Sequence, residues 1–240
     1  MTRRRAAQTE REPPPPPPAP ERYRAWAAHV FDRPETPWYF PADPMEDIAF
    51  PNADADELAA LVTHTMATCG EDLAPFSDAQ IAHGLNFMTN NACGDVVMEV
   101  MRPTLSLARR RTLIASLKTL YTDCFAPRCA RALSHTSDPI AAENPLNVVC
   151  YMFWDASPLL HWSGDGADAL NETVLDVLEA TLAIDHPAVQ ESALHGLGHI
   201  RQHDRTNPRP ERIIQTFLKT TPTSPTLRAY TEAAAAGCVQ

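Results

Sequence analysis

One glutamate and three histidines follow one another at four-residue steps: Glu191, His195, His199 and His203. Four residues is slightly more than one helical turn, so on a helix they form a single stripe. Near neutral pH an imidazole can ligate a metal, take up a proton or meet a partner's acid. On a helical wheel over 187–203, Val189, Ala193, Leu197 and Ile200 point the opposite way. The aliphatic side is expected in the core and the stripe open to solvent or to a partner. Geometry limits its metal chemistry. Adjacent members sit about 6 Å apart along the axis, so a pair can share an ion, but Glu191 and His199 are about 12 Å apart. A tight site therefore needs ligands from another helix. The corresponding face further along, Ala229, Ala233 and Gly237, offers none.

A second group, Cys124, Cys129, His135 and Cys150, has metal-competent side chains but no C-x-x-C pair. Pro127 breaks the helix between the first two, so a turn could bring the thiols together. The plain reading is thiols packed under a loop, with a structural metal as the sharper one. Cys69, Cys93, Cys150 and Cys238 read as small buried apolar residues. Charge forms a third feature. Arg109, Arg110, Arg111 and Lys118 make a basic patch, and Asp168, Glu172, Asp176 and Glu179 an acidic stripe. Each reads first as a solvated face, and second as a means of steering a charged partner. Phosphate-loop, nucleophile-elbow and H-E-x-x-H motifs are missing, and no cofactor is expected.

The elements that must position these residues read as helices. Leu58, Leu61, Val62, Thr65 and Met66 recur at three- and four-residue steps. Ser77 with Gln80 is a capping box ahead of Ile81, Leu85 and Met88. Val96, Val97, Val100 and Met101 end at Pro103; Leu113, Leu117, Leu120 and Tyr121 form another stripe; Asn144-Pro145 opens an apolar helix through Trp154. No stretch alternates as a strand does. The expected fold class is all-α from about Ala53 to the last residue. Before it, residues 1–20 carry six consecutive prolines, Pro13–Pro18, and are expected to be a disordered tail. Residues 21–52 hold Trp26, Phe31, Trp38, Tyr39, Phe40 and Phe50 among five prolines, which predicts an extended strap capping one end of the domain, with room for one short helix.

The chain has 240 residues, is 44% hydrophobic and carries a net charge of −10. The acidic balance disfavours nucleic acid as a partner. No apolar run reaches the roughly 18 residues of a membrane helix, and no secretory leader follows Arg3, Arg4 and Arg5. The cytoplasm is the expected compartment.

An internal echo closes the pattern. Pro187, Val189, Leu197, Gly198 and Ile200 fall on Pro225, Leu227, Ala235, Ala236 and Cys238, while Val174, Leu175 and Leu178 fall on Ile213, Ile214 and Phe217. A helix pair thus recurs with a period of about 40 residues. The segment Asp185–Ile200, with its acid-proline turn, then Val, Ala and Leu-Gly, resembles the second half of a HEAT-like repeat of the phycobilisome-lyase type, an armadillo-like architecture. The likeness is closest over 185–200 and extends over 170–238. It implies an α-α superhelix whose inner helices line a concave surface, and protein binding more often than catalysis. It carries over no catalytic residue. On this reading the chain is a non-enzymatic protein-binding scaffold whose concave face presents Glu191, His195, His199 and His203. The alternative is a metal-dependent or histidine-based enzyme at His195 and His199. A small-molecule or pigment chaperone is the third, suggested by the repeat type alone.

Overall fold

The computed structural model describes residues 16–40 and 48–239, and among these every regular element is a helix. In chain order they are α1 (Pro20–Phe31), α2 (Ala55–Asp72), α3 (Asp78–Thr89), α4 (Val96–Val100) and α5 (Leu107–Thr119). The last continues through a π-helical stretch, Leu120–Phe125, into α6 (Ala126–Arg128). Then come α7 (Pro139–Glu143), α8 (Pro145–Ala156), a 3₁₀ turn at Pro158–Leu160, α9 (Ala167–Leu182), α10 (Pro187–His203), α11 (Pro208–Thr220) and α12 (Pro225–Ala236).

Local chemistry sets these boundaries. The Ser77 hydroxyl accepts from the Gln80 amide at 3.2 Å while the Gln80 side chain accepts from the Ser77 amide at 3.0 Å, the expected capping box. Asn144 caps α8 by accepting from the Leu146 amide at 2.9 Å. Proline occupies the first turn of α7, α8, α10, α11 and α12, where its missing N–H costs nothing. Gly237 ends α12 at φ 71°, a left-handed conformation that suits glycine.

The helices pack in two rows. α2, α5, α9 and α11 touch in succession, and so do α3, α8, α10 and α12. The pairs α2–α5, α8–α10 and α10–α12 run parallel. Asp56 meets Arg109 near the starts of α2 and α5, and the Cys69 thiol donates to the Thr119 carbonyl at 3.6 Å near their ends. In the other row the Ser192 hydroxyl donates to the Cys150 carbonyl at 2.5 Å, His199 lies 3.3 Å from Asp155, and His195 meets Tyr230. The echo in the sequence marks the pairs α9–α10 and α11–α12. Its buried members agree: Val174, Leu175 and Leu178 match Ile213, Ile214 and Phe217, all in the core. The match fails at the far end, where Ile200 is buried but Cys238 is exposed, because α12 stops at Ala236. Cys238 is thus not the buried residue its type suggested.

Residues 1–15 and 41–47 of the expected tail and strap lie outside the described residues. The described part of the strap opens with the twelve-residue helix α1, for which the expectation left room, and α1 packs on α2 and α3. Trp26 is fully buried and donates to the Thr65 hydroxyl at 3.0 Å, while Phe31, Tyr39 and Phe50 join the same core and Phe40 stays exposed.

The charged features also differ from expectation. Arg110 is buried, with its guanidinium 5.9 Å from the Trp162 ring centroid, and Arg109 pairs with Asp56, so the three arginines do not form one patch. Arg209 crosses from α11 to Glu172 (2.5 Å), Asp176 (2.5 Å) and Glu179 (3.2 Å), so most of the acidic stripe is a clamp between α9 and α11.

His186, just before α10, supplies a pH test. It is 4% exposed, and its Nε2 lies 3.2 Å from the Cys129 carbonyl, which requires that nitrogen to donate. Burial, then the Arg131 cation, pushes its pKa below the ordinary 6.5. The unfolded chain therefore takes up a proton that the folded chain refuses. Stability is fully present above pH 6.5 and falls as pH drops below it toward the folded value. The urea midpoint is expected to fall between pH 7.5 and 5.5, and to fall less in His186→Gln, which keeps a donor. Equal slopes for both proteins would remove His186 as a cause.

Candidate metal centre

α10 is enclosed by four helices, α8, α9, α11 and α12. Its small residues permit this. A Cβ built on Gly196 would stand 2.9 Å from both the Trp154 ring of α8 and the Leu178 side chain of α9, so glycine sets the closeness of three helices. One consequence corrects the expected open stripe. Glu191 and His195 are 0% and 1% exposed, His199 is half-buried, and His203 alone of the four is exposed. A helix with neighbours on all sides buries its polar face as well.

The buried members are bonded. Glu191 accepts from the Ser134 amide at 2.8 Å and the His135 amide at 2.9 Å, and its Oε1 lies 2.5 Å from His135 Nδ1. The loop between α6 and α7 is thereby latched to α10. The His135 ring stacks on Tyr230 of α12, with centroids 4.2 Å apart. Tyr230 Oη lies 2.6 Å from His195 Nδ1 and donates to the Tyr151 hydroxyl at 3.5 Å. Burial, with His199 close by, pushes the His195 pKa down to about 4, so this ring is neutral at pH 7.

Beyond His195 the side chains converge. His195 Nε2 and His199 Nε2 are 3.0 Å apart, and Asp155 Oδ1 is 3.3 Å from His199 Nε2. Ligand atoms of Asp155, His195 and His199 all lie within 4.8 Å of one another, the only such group of three among the described residues. Two donors around one ion at 2.0–2.1 Å stand about 3.0–3.4 Å apart, depending on the angle between them. The His195–His199 and His199–Asp155 separations fall within that interval, and the Asp155–His195 separation is within 4.8 Å. Asp155 sits in the last turn of α8, the electronegative end of the helix dipole, where a carboxylate is disfavoured and a cation is welcome.

One side of this cluster is open. Asp155 and His199 line a cleft of about 340 Å³ together with Asn91, Ser157 and His161. His161 also lines an adjoining cleft of about 430 Å³, where its ring centroid is 4.8 Å from that of His203. Burial, with His203 and His199 near, pushes the His161 pKa down.

The second sequence-level group does not assemble as a ligand set. His135 is engaged with Glu191, and Cys150 sits beside Cys129 and donates to the Ala188 carbonyl at 3.7 Å. Burial pushes the Cys124 and Cys150 thiols up. Sequence reasoning had paired His195 with His199 but missed Asp155. It looked for the extra ligand on the face of α12, whereas α8, on the other side of α10 in the same row, provides one. No family model, curated protein or solved structure matches this chain.

Proposed function

We propose that this chain is a metal-dependent enzyme of hydrolytic type, in which Asp155, His195 and His199 hold a divalent transition-metal ion such as zinc. The convergence of two imidazole nitrogens and one carboxylate oxygen at 3.0 and 3.3 Å, beside an open cleft, carries this reading. Three protein ligands with a free side is the pattern of catalytic rather than structural zinc sites. An ion held by Asp155, His195 and His199 would supply the hydrolytic chemistry by lowering the pKa of a bound water toward about 7. The burial of Glu191 and His195 removes the surface on which partner docking by the whole stripe would rest. The two rows of helices support a HEAT-like array as the scaffold. Six free thiols suit a reducing compartment such as the cytoplasm. No helix among the described residues is long and apolar enough to cross a membrane.

Metal content decides the matter. Untagged protein is expected to carry close to one equivalent of zinc, iron, manganese or cobalt by elemental analysis, or to take up one zinc on titration. Asp155→Ala removes a ligand that is itself exposed and bears no core packing. It should keep the fold and lower zinc affinity by at least about 100-fold, beyond the roughly 10–100-fold typical of losing a residue that only supports a ligand. Less than a tenth of an equivalent, with no zinc uptake by titration, would sink the proposal.

A further inference from the structure

We infer that Tyr230 and Tyr151 together hold His195 in the tautomer that can ligate a metal, making them positioning residues for the site proposed above, on which this inference rests. A neutral imidazole carries one N–H. For Nε2 to offer a lone pair toward His199 and Asp155, the proton must reside on Nδ1. The group facing Nδ1 is the Tyr230 hydroxyl at 2.6 Å. A hydroxyl can donate or accept, so alone it would not choose. If it donated to Nδ1, Nε2 would bear the proton and turn an N–H into the metal position.

Tyr151 supplies the choice. Its hydroxyl lies 3.5 Å from that of Tyr230 and accepts a hydrogen bond from it, which leaves the Tyr230 oxygen to accept from His195 Nδ1. Both tyrosines are buried, at 7% and 9% exposure, so bulk water does not compete freely for that bond. The rings are held from both sides. Tyr230 stacks on His135, which is fastened by the fully buried Glu191, and Tyr151 meets the His195 ring edge-on at 4.6 Å. A donor–acceptor chain of this kind behind a ligating histidine orients it and typically alters metal affinity about 10–100-fold when broken.

The test uses the full chain with zinc as the probe, cobalt(II) as a spectroscopic reporter and ¹⁵N NMR of the imidazoles. Wild-type protein with zinc is expected to show His195 protonated on Nδ1. Tyr230→Phe is expected to weaken zinc about 10–100-fold. Tyr151→Phe touches neither the metal position nor the His195–Tyr230 bond. It should nevertheless weaken zinc to a similar degree, since the Tyr230 hydroxyl then has only His195 to donate to, and its zinc-free spectrum should move the His195 proton to Nε2. Leu61→Ala, a core truncation on α2 away from α10, should lower the denaturation midpoint while leaving affinity and tautomer unchanged. Equal zinc affinity in wild type and both tyrosine variants would overturn the inference and leave the metal site standing. A wild type that binds no metal would overturn both.

Discussion

Glu191→Ala is expected to cost about 2–5 kcal/mol of folding stability, because two backbone amides lose their acceptor at about 1–3 kcal/mol each and the His135 bond goes with them. The carboxylate is 0% exposed and receives two backbone amides and the His135 ring. Alanine would leave two buried N–H groups and an imidazole facing a cavity, each without an acceptor. Glu191→Gln keeps the shape and one carbonyl but turns an amide toward existing donors, so an intermediate loss of about 1–3 kcal/mol should follow. Urea denaturation followed by circular dichroism measures both. A loss below about 1 kcal/mol for the alanine variant would show that the loop between α6 and α7 finds other partners.

Trp154→Ala should cost a comparable 3–5 kcal/mol, as aromatic-to-alanine changes in cores do. The indole is 1% exposed, stacks parallel to Tyr121 at 6.2 Å, and packs on Gly196, where no other residue would leave it room. It also precedes Asp155, so the same side chain that fills the core fixes the helix bearing a proposed ligand. Zinc should return part of the lost stability by mass action, about 2.7 kcal/mol at a hundred times its dissociation constant. Failure of zinc to raise the midpoint of either wild type or variant would count against the metal centre, while a small loss without zinc would show that α8 and α10 collapse onto the gap.

These two residues show what could be read from the chain alone. The helical class, the capping box at Ser77 and the proline-led starts of α8, α10 and α12 were legible because they are local: side chains bonding to backbone three residues away, or a ring that forbids an N–H. Exposure of the Glu191 stripe was misread for a physical reason. Periodicity identifies one face that packs, but says nothing of the other when a helix is enclosed. A signal was present. Ala188, Ser192, Ala193, Gly196 and Gly198 crowd one helix, and such density of small side chains points to close neighbours on several sides. Asp155 was beyond reach, since forty residues separate it from His195 and only the parallel packing of α8 and α10 joins them.

The enclosure of α10 has a kinetic side. Its backbone amides should be among the last in the chain to trade hydrogen for deuterium, because opening them means parting four neighbouring helices at once. Two of the three proposed ligands ride on that slowest-breathing segment. An ion held there would leave on the timescale of whole-domain opening unless it departs through the Asp155 side, which makes the wet edge of the cleft its natural door.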